Sequence, residues 1–341
     1  MSVGGDSPSP RHLIQIDDGP AFEVAAEEDC LLRGALRAGI GFPHECSVGG
    51  CGACRFELLE GPMETLWPEA PGLSDRERRR GRRLACQSRP VGNCRIKVRC
   101  DAANQPPVAP RRMTGTVIER RALTPDMLGL TLQVPRDATF LPGQYALLHL
   151  PGVHGARAYS MSNLPGADDA WQFVIRRVPG GQGSRFVFEQ LAPGGSLPLD
   201  GPYGHAYLRP GARDVVCIAG GSGLAPMLSV ARGVLAERGT RTVRFFLGLR
   251  TQSDLCLADD VERLAGARLE SRAVLSEPAA EPAWDGATGF VHAEVERALG
   301  PALGRFDHYF AGPPGMVEAV QEMLMVRHRV PFDQIHFDRF F

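Results

Sequence analysis

Four cysteines have the residue type and the spacing that could hold an iron–sulfur cluster. Cys46, Cys51 and Cys54 follow the C-x4-C-x2-C spacing of [2Fe–2S] sites, and Cys86 is well placed to supply the fourth thiolate. Three glycines lie between the first three cysteines, and a loop that wraps a small anionic group needs such residues to turn tightly. The sequence therefore predicts a [2Fe–2S] cluster bound by these four cysteines.

Two other uses of these cysteines are disfavoured. A disulfide framework fits poorly because the nine cysteines are an odd number and most of them lie in the first 100 residues. A zinc site usually takes paired C-x2-C units, and the chain has one such unit here. The remaining cysteines are interpreted as small buried residues.

Length and composition describe an ordinary globular protein of two or three domains. The chain has 341 residues, 43% of them hydrophobic and 23% charged, with a formal net charge of −1. Such a charge gives no general attraction to nucleic acid or to membranes. The sequence contains no run of 18 apolar residues and no secretory h-region, so we predict a cytoplasmic protein without a membrane span.

The elements that must position the cysteines form a first domain, predicted at residues 11–100. Alternating apolar residues indicate strands, and helical spacing of apolar residues before Gly39 indicates one helix. This pattern predicts a β-grasp arrangement, a mixed sheet crossed by one helix. The predicted strands are residues 12–17, 21–24, 55–61 and 95–99, and the predicted helix is residues 28–39.

Two segments of this region have a distinctive composition. Residues 75–83 carry six arginines, which fit either a docking patch for an acidic redox partner or a solvated helix face. Residues 101–111 are rich in proline and are predicted to be a stiff linker.

Two further domains follow the linker. Residues 112–209 show short alternating runs separated by proline and glycine, which predict a small antiparallel β-barrel. Residues 210–341 alternate strands with helices, which predicts a doubly wound α/β domain with a parallel sheet.

The predicted barrel contains a candidate FAD site at Arg157-Ala158-Tyr159-Ser160. This segment resembles the R-x-Y-S flavin motif of the ferredoxin–NADP reductase superfamily. Arg157 could neutralise the pyrophosphate, Tyr159 could stack on the flavin ring, and Ser160 could hydrogen-bond near the N5 atom that receives a hydride. The alternative is that Tyr159 is a barrel core residue. Segments that support the resemblance include Gly143, the G-x-x-S turn of Gly181, Gly183 and Ser184, and residues 201–204.

The α/β domain contains a candidate pyridine-nucleotide site in two segments. Each segment follows a strand and opens a helix, so backbone N–H groups at a helix N-terminus could face the phosphates. The segments resemble the superfamily's G-G-[ST]-G-x-A-P and C-G-P-P-x-M motifs, except that Ala311 replaces the cysteine, for which we expect tuning and not loss of hydride transfer. The candidate residues are Gly220, Gly221, Ser222, Gly223 and Pro226, then Gly312, Pro313, Pro314 and Met316.

Two more candidate contacts concern cofactor choice and the chain end. Arg250 and Asp254 follow the second strand, where the adenosine ribose should lie, and the lack of a basic cluster there favours NADH while Arg250 keeps NADPH possible. The superfamily resemblance implies that a terminal aromatic, Phe340 or Phe341, covers the flavin, with Asp338 matching the acidic residue before it. Packing without a cofactor role is the alternative for either ring.

The whole domain order is similar to the reductase components of bacterial multicomponent oxygenases. Residues 42–54 and 84–88 look like their ferredoxin domain, and residues 65–73 and 330–341 look most like toluene monooxygenase reductases. The resemblance implies an NADH-dependent oxidoreductase that passes electrons through FAD and the cluster to a Rieske ferredoxin or a diiron hydroxylase. We also expect the protein to be a monomer.

Two other functions stay open at this point. A reductase of a Rieske ring-hydroxylating dioxygenase or of a deoxysugar pathway would share every motif. A non-enzymatic redox carrier or sensor with an inert flavin domain would also retain the cysteine set.

Overall fold

The chain folds into two compact units that divide after Arg111. The structure, a computed structural model, describes residues 10–166, 168–279 and 283–340. Phe341, one of the two candidate terminal aromatics, lies outside the described residues.

The first unit is a mixed sheet crossed by a helix, which confirms the predicted β-grasp architecture. Its five-stranded sheet has the order β2-β1-β7-β3-β5, in which β1 and β7 run parallel and the other neighbours run antiparallel. Helix α1 buries six of its seven residues, and β4 pairs with β6 beside the main sheet. The elements are β1 (Arg11–Ile16), β2 (Ala21–Ala25), α1 (Leu31–Arg37), β3 (Arg55–Glu60), β4 (Met63–Thr65), α2 (Asp75–Arg79), β5 (Arg82–Leu84), β6 (Ser88–Pro90) and β7 (Cys94–Lys97).

Helix α1 begins three residues later than predicted. Cys30 has extended backbone angles, and the Glu28 carboxylate accepts a hydrogen bond from the Asp29 backbone N–H while it pairs with Arg37. Glu28 and Asp29 therefore belong to the turn before the helix, although their types are compatible with a first helical turn.

The arginine-rich segment 75–83 is only partly helical. Helix α2 has a capping box formed by Ser74 and Glu77, and it ends at Arg79. Gly81 then adopts a positive φ of 75°, which reverses the chain into strand β5.

The proline-rich segment predicted as a linker is held by the first unit along part of its length. The Asp101 N–H donates to the Gly41 carbonyl at 2.9 Å, and an Arg37 guanidinium N–H donates to the Pro110 carbonyl at 3.3 Å. Residues 102–104 form a 3₁₀ turn capped by the Asp101 carboxylate.

The second unit starts with a six-stranded antiparallel sheet of order β11-β10-β13-β8-β9-β12. A bridge between Met161 and Phe173 joins its two edges, so the sheet is nearly closed into the predicted barrel. Trp171, Phe140 and Phe173 fill the barrel core. The elements are β8 (Arg111–Thr124), β9 (Met127–Gln133), β10 (Tyr145–Leu148), β11 (Arg157–Ser160), β12 (Ala170–Arg176), α3 (Gln182–Glu189) and β13 (Ser196–Tyr203).

The rest of this unit is the predicted α/β layer structure with a six-stranded parallel sheet of order β17-β16-β15-β14-β18-β19. Apolar cores lie on both faces, because helices cover each face of a parallel sheet. The elements are β14 (Val215–Gly220), α4 (Leu224–Ala236), β15 (Val243–Leu249), α5 (Asp259–Glu262), β16 (Leu269–Leu275), β17 (Ala287–Thr288), α6 (Val291–Leu299), β18 (Asp307–Gly312), α7 (Pro314–Gln321) and β19 (Ile335–Arg339).

The chain end adds a strand to this sheet. Strand β19 pairs in parallel with β18, with Asp338 opposite Ala311. Before it, α7 continues into a wider π-helical turn at Glu322–Arg327, so the helical segment ends at Arg327 as predicted and begins three residues before the predicted residue 317. Within the described ranges, no helix has both the length and the apolar character needed to cross a membrane.

Candidate functional site

The four predicted cysteine ligands come together in the first unit as two pairs. The Cys54 and Cys86 sulfurs are 3.3 Å apart, although 32 positions separate these residues in the chain. The Cys46 and Cys51 backbone N–H groups each donate toward the other residue's Sγ, at 3.5 and 3.3 Å. Among the described residues, no three metal-binding side chains converge on one metal position. Two pairs fit a two-iron cluster, because each iron can take two thiolates and complete its shell with bridging sulfides.

The loop around these sulfurs has the geometry of an anion cradle. The Ala53 N–H also points at the Cys51 Sγ, at 3.4 Å. Gly52 has a φ of 77°, and a Cβ there would lie 2.4 Å from the Gly72 carbonyl oxygen, so only glycine fits this position. The residues present therefore fit a [2Fe–2S] group.

The pKa values of the cysteines diverge within each pair. A hydrogen bond from the Cys51 thiol, helped by nearby backbone N–H groups, lowers the pKa of Cys46 to about 6, while the pKa of Cys51 is raised. The Cys86 thiol likewise lowers the pKa of Cys54, and that of Cys86 is raised. The environment therefore favours the thiolate form of one cysteine in each pair, and the thiolate is the form that binds iron. All nine cysteines are free thiols in the structure.

The two segments predicted to bind the FAD pyrophosphate meet on the barrel. A Cβ on Gly183 would lie 3.0 Å from the Arg157 Cγ, so the arginine side chain lies against the first turn of α3. A guanidinium nitrogen of Arg157 donates to the backbone carbonyls of residues 154–156, which holds the side chain in this position. A cation next to helix N–H groups is suited to a phosphate group.

The other predicted flavin-binding residues are at least partly buried. The Ser184 hydroxyl accepts from the Val178 N–H at 3.0 Å and lies 3.2 Å from the Gly181 carbonyl, so it shapes the turn instead of pointing outward. Tyr159 is partly buried against the barrel core, and this burial raises its pKa to about 12. The alternative interpretation of Tyr159 as a barrel core residue is therefore partly correct. Ser160, at the end of β11, is buried. Ala158 lies between them and is half-buried.

The two nucleotide segments pack against each other at the carboxyl ends of β14 and β18. A Cβ on Gly223 would lie 1.9 Å from the Ala311 carbonyl oxygen, which explains why glycine is needed there. Gly221–Gly223 form a 3₁₀ turn that leads directly into α4, as a phosphate-binding turn requires. Pro226 is buried in the first turn of α4, where a proline is tolerated.

A cavity of about 710 Å³ opens at these strand ends. Six predicted nucleotide residues line it: Gly220, Gly221, Arg250, Asp254, Pro313 and Met316. Five others are outside its lining: Ser222, Gly223, Pro226, Gly312 and Pro314. The Asp254 carboxylate accepts from the backbone N–H groups of Arg250 and Thr251, so it caps the turn after β15.

Sequence reasoning missed a barrel contribution to this cavity. Arg176, the last residue of β12, lines the cavity, and its NH1 atom lies 3.5 Å from where a Cβ on Gly221 would be. It pairs with Asp126, which also lines the cavity. The sequence could have indicated this role of Arg176 only if it had also shown that β12 ends beside the nucleotide turn.

An exposed aromatic that also lines this cavity was missed as well. Phe290 is 69% exposed and stacks on His292 with ring centroids 6.0 Å apart, and both rings line the cavity. Burial and the nearby Arg327 lower the pKa of His292. A large exposed ring in a cavity wall is suited to stacking on a planar base.

The predicted terminal ring lies beside the same strand ends. The Phe340 N–H donates to the Gly312 carbonyl at 3.1 Å, and its side chain packs partly against the core that includes Ala311. Asp338 is buried in β19. Phe340 therefore packs partly against the protein core, as the alternative interpretation of this ring predicts.

Comparisons with known proteins give three matching domain families. Residues 14–91 match the 2Fe-2S iron-sulfur cluster binding domain, residues 114–207 the oxidoreductase FAD-binding domain and residues 217–322 the oxidoreductase NAD-binding domain. The ferredoxin–NAD(P)+ reductase CarAd of Metapseudomonas resinovorans is 43% identical over 95% of this chain and 98% of its own length. The chain belongs to the ferredoxin–NAD(P)+ reductases of oxygenase systems. It is thus an oxidoreductase with [2Fe–2S], FAD and NAD-binding domains.

Other members of this reductase family serve different oxygenases. The ferredoxin–NAD(+) reductase component of the alkene monooxygenase system of Xanthobacter autotrophicus is 39% identical over 96% of this chain and all of its own length. The xylene/toluene monooxygenase electron transfer component XylA of Pseudomonas putida is 33% identical over 98% of this chain and 95% of its own length.

A solved reductase has the same fold over nearly the whole chain. The ferredoxin reductase in carbazole 1,9a-dioxygenase superposes with a TM-score of 0.90 at 38% identity, covering 97% of this chain and 99% of that one.

Proposed function

We propose that this reductase takes electrons from NADH and delivers them to a Rieske-type ferredoxin of an oxygenase system. The main observation that supports this proposal is that one chain combines a cysteine site of two pairs with a nucleotide cavity. The wall of this cavity includes residues of the barrel. FAD, when bound, accepts a hydride and releases electrons singly, and the cluster takes one electron at a time.

The residues of the two cofactor sites and of the cysteine loop support distinct roles in this scheme. Arg157 and the N-terminus of α3 would hold the FAD phosphates, and Tyr159 and Ser160 would position the flavin ring. The turn after β14 would hold the NADH pyrophosphate, with Arg176 adding positive charge. Cys46, Cys51, Cys54 and Cys86 would hold the cluster.

NADH is favoured over NADPH by the composition of the cavity wall at the end of β15. Arg250 follows this strand, and the neighbouring acidic side chain of Asp254 would repel a 2′-phosphate. A single exposed arginine offers less positive charge to the 2′-phosphate than the basic cluster that usually binds this group.

A ferredoxin is favoured as acceptor because two relatives with identities of 43% and 39% are named as reductases of ferredoxin. A second candidate is direct transfer to an oxygenase component. It is favoured by a 33% identical relative, the reductase component DmpP of a phenol 2-monooxygenase from Pseudomonas, over 90% of this chain and 88% of its own length.

The test is reconstitution of the electron path with the purified holoprotein, for which we expect a monomer in size-exclusion chromatography. We expect about two iron and two sulfide per chain with one FAD, and NADH-dependent reduction of an added Rieske-type ferredoxin. Reduction of an oxygenase component alone would favour the second candidate. A protein that reduces only small dyes, and no protein acceptor, would overturn the proposal.

A further inference from the structure

Three arginines beside the cysteine loop stand exposed without an anionic partner. Arg76 and Arg79 lie on α2, and Arg80 follows it. All three are exposed, and none forms an ion pair with another residue that the structure describes. Together with Trp67 we name these residues the basic face.

The neighbouring charges on this side of the first unit are mostly cancelled. Arg83 donates hydrogen bonds to the Met63 carbonyl and the Thr65 hydroxyl. Its positive charge is balanced in number by the negative charge of the exposed Glu69. The basic face with these two residues therefore keeps a net positive charge, in a chain whose formal net charge is −1. The surrounding ion pairs are Arg55–Glu77, Arg78–Asp75, Arg82–Glu57 and Arg89–Glu64.

Hydrogen bonds connect α2, which carries Arg76 and Arg79, to the cysteine loop through the segment of Trp67. Arg78 donates to the carbonyls of Pro68 at 2.9 Å and Ala70 at 2.6 Å, which fixes α2 to the segment that carries Trp67. Further along this segment, the Gly72 N–H donates to the Gly49 carbonyl at 2.9 Å.

Trp67 itself covers part of that loop. A Cβ on Gly49 would lie 3.2 Å from the Trp67 Cε3, yet the tryptophan is 41% exposed. An exposed tryptophan on a segment bonded to an arginine-rich helix has the composition of a protein interface, in which aromatic residues and arginine are enriched.

We propose that the basic face docks the protein that receives electrons from the cluster, and that the partner's facing surface is acidic. This inference rests on the proposed function, and it names the surface and the partner's charge. Complementary charge steers association and fixes orientation, and it raises association rates by one to three orders of magnitude at low salt. Docking against Trp67 would bring the partner onto the loop that holds the cluster ligands.

The test compares two triple variants with equal loss of charge. Arg76→Gln/Arg79→Gln/Arg80→Gln removes the basic face, and Arg11→Gln/Arg238→Gln/Arg305→Gln removes three exposed arginines elsewhere. Both are assayed as holoproteins with NADH and an acidic Rieske-type ferredoxin across a range of ionic strengths. NADH-dependent reduction of ferricyanide, a small acceptor, reports whether the flavin and nucleotide sites remain intact.

We expect the basic-face variant to lose at least about tenfold in kcat/KM for the ferredoxin at low salt and to approach wild type at high salt, because salt screens exposed charges. The control variant should stay within about twofold of wild type, and the ferricyanide rate should be the same for all three. Trp67→Ala should lower kcat/KM at every salt concentration, since its contact is apolar.

Equal ferredoxin kinetics in the two triple variants would overturn the docking surface while leaving the proposed function in place. A wild-type holoprotein that reduces ferricyanide but no ferredoxin would overturn the proposed function. In that case direct titration calorimetry with the acidic ferredoxin still decides the docking surface. Binding of wild type to anionic phospholipid vesicles, with no binding to the ferredoxin, would overturn it in favour of a membrane surface.

Discussion

Arg176 and Asp126 form an ion pair in the wall of the nucleotide cavity, with the Nε and Oδ2 atoms 2.9 Å apart. Burial raises the pKa of Asp126, but hydrogen bonds from Thr124 and Arg176 outweigh this and lower it, so the carboxylate stays charged. The pair restrains the arginine beside Gly221, where the nucleotide phosphates are proposed to lie. The barrel thereby contributes charge to a site that the α/β elements form.

Removal of this arginine should weaken NADH binding. We expect Arg176→Gln to raise the KM for NADH about tenfold with a smaller change in kcat, because a charge-assisted hydrogen bond contributes about 1.5–3 kcal/mol. Arg177→Gln is the matched control, since Arg177 pairs with Glu189 on α3. Steady-state kinetics with ferricyanide measure both, and equal KM values in the two variants would remove Arg176 from the site.

Loss of one cysteine ligand should remove the cluster and spare the flavin. We expect Cys86→Ser to lack the cluster's visible absorbance and bound iron, while NADH still reduces FAD, because the two sites lie in separate compact units. Cys94→Ser is the control, since Cys94 is buried and its sulfur contacts the Pro62 carbonyl. Loss of flavin reduction in a folded Cys86→Ser protein would contradict this modular interpretation.

Cofactor preference should follow the sparse positive charge near Arg250. We expect kcat/KM for NADH to exceed that for NADPH by at least about tenfold, which corresponds to about 1.4 kcal/mol. Arg250→Ala should widen this ratio by lowering the NADPH value. Equal use of both cofactors by wild type would indicate that Arg250 alone suffices to bind the 2′-phosphate.

Removal of the Phe340 ring tests whether this ring covers one face of the flavin. A ring that stacks on the flavin must move before nicotinamide can stack there, so its stacking energy of about 0.5–1.5 kcal/mol opposes NADH binding. We expect Phe340→Ala to lower the Kd for NAD+ by up to about tenfold and to raise tolerance of NADPH.

Deletion of Phe341 is the control for that variant and should change the affinity less. Titration of NAD+ followed by flavin absorbance measures both. A larger effect from the Phe341 deletion would assign the stacking role one residue later, and no effect from either would leave Phe340 with the packing role that its contact with the core supports.

A buried histidine should make the second unit sensitive to mild acid. Burial lowers the pKa of His308 to about 4, against 6.5 when it is exposed, while the Leu303 carbonyl accepts from its Nε2. The unfolded chain therefore binds more protons between these values, so this contribution to stability is full above pH 6.5 and is lost as the pH falls toward 4.

Between pH 7 and pH 5 the expected loss from His308 is about 2 kcal/mol in the free energy of unfolding. Urea unfolding at both pH values measures it. His308→Gln should reduce the pH dependence by this amount, and substitution of the exposed His154 is the control. An unchanged pH dependence in His308→Gln would contradict this assignment.

The local sequence determined those parts of the molecule in which a motif and its backbone are contiguous. Spacing and glycine content identified the loop of Cys46, Cys51 and Cys54, and strand–turn–helix context identified the turn at Gly220 before α4. The barrel and the parallel sheet were predicted from periodicity, because burial on one or both faces dictates which positions are apolar.

Only the tertiary structure decided how separate segments meet. The sequence proposed Cys86 as fourth ligand, but the fold paired it with Cys54 across 32 positions. Arg176 gave no signal of its role, because its position beside Gly221 follows from where β12 ends relative to the α/β sheet. The helix predicted from residue 28 began at Leu31, since the Glu28 carboxylate forms local bonds that compete with a helical turn. Local chemistry is encoded in short segments, whereas distances between segments arise from packing that no short segment contains.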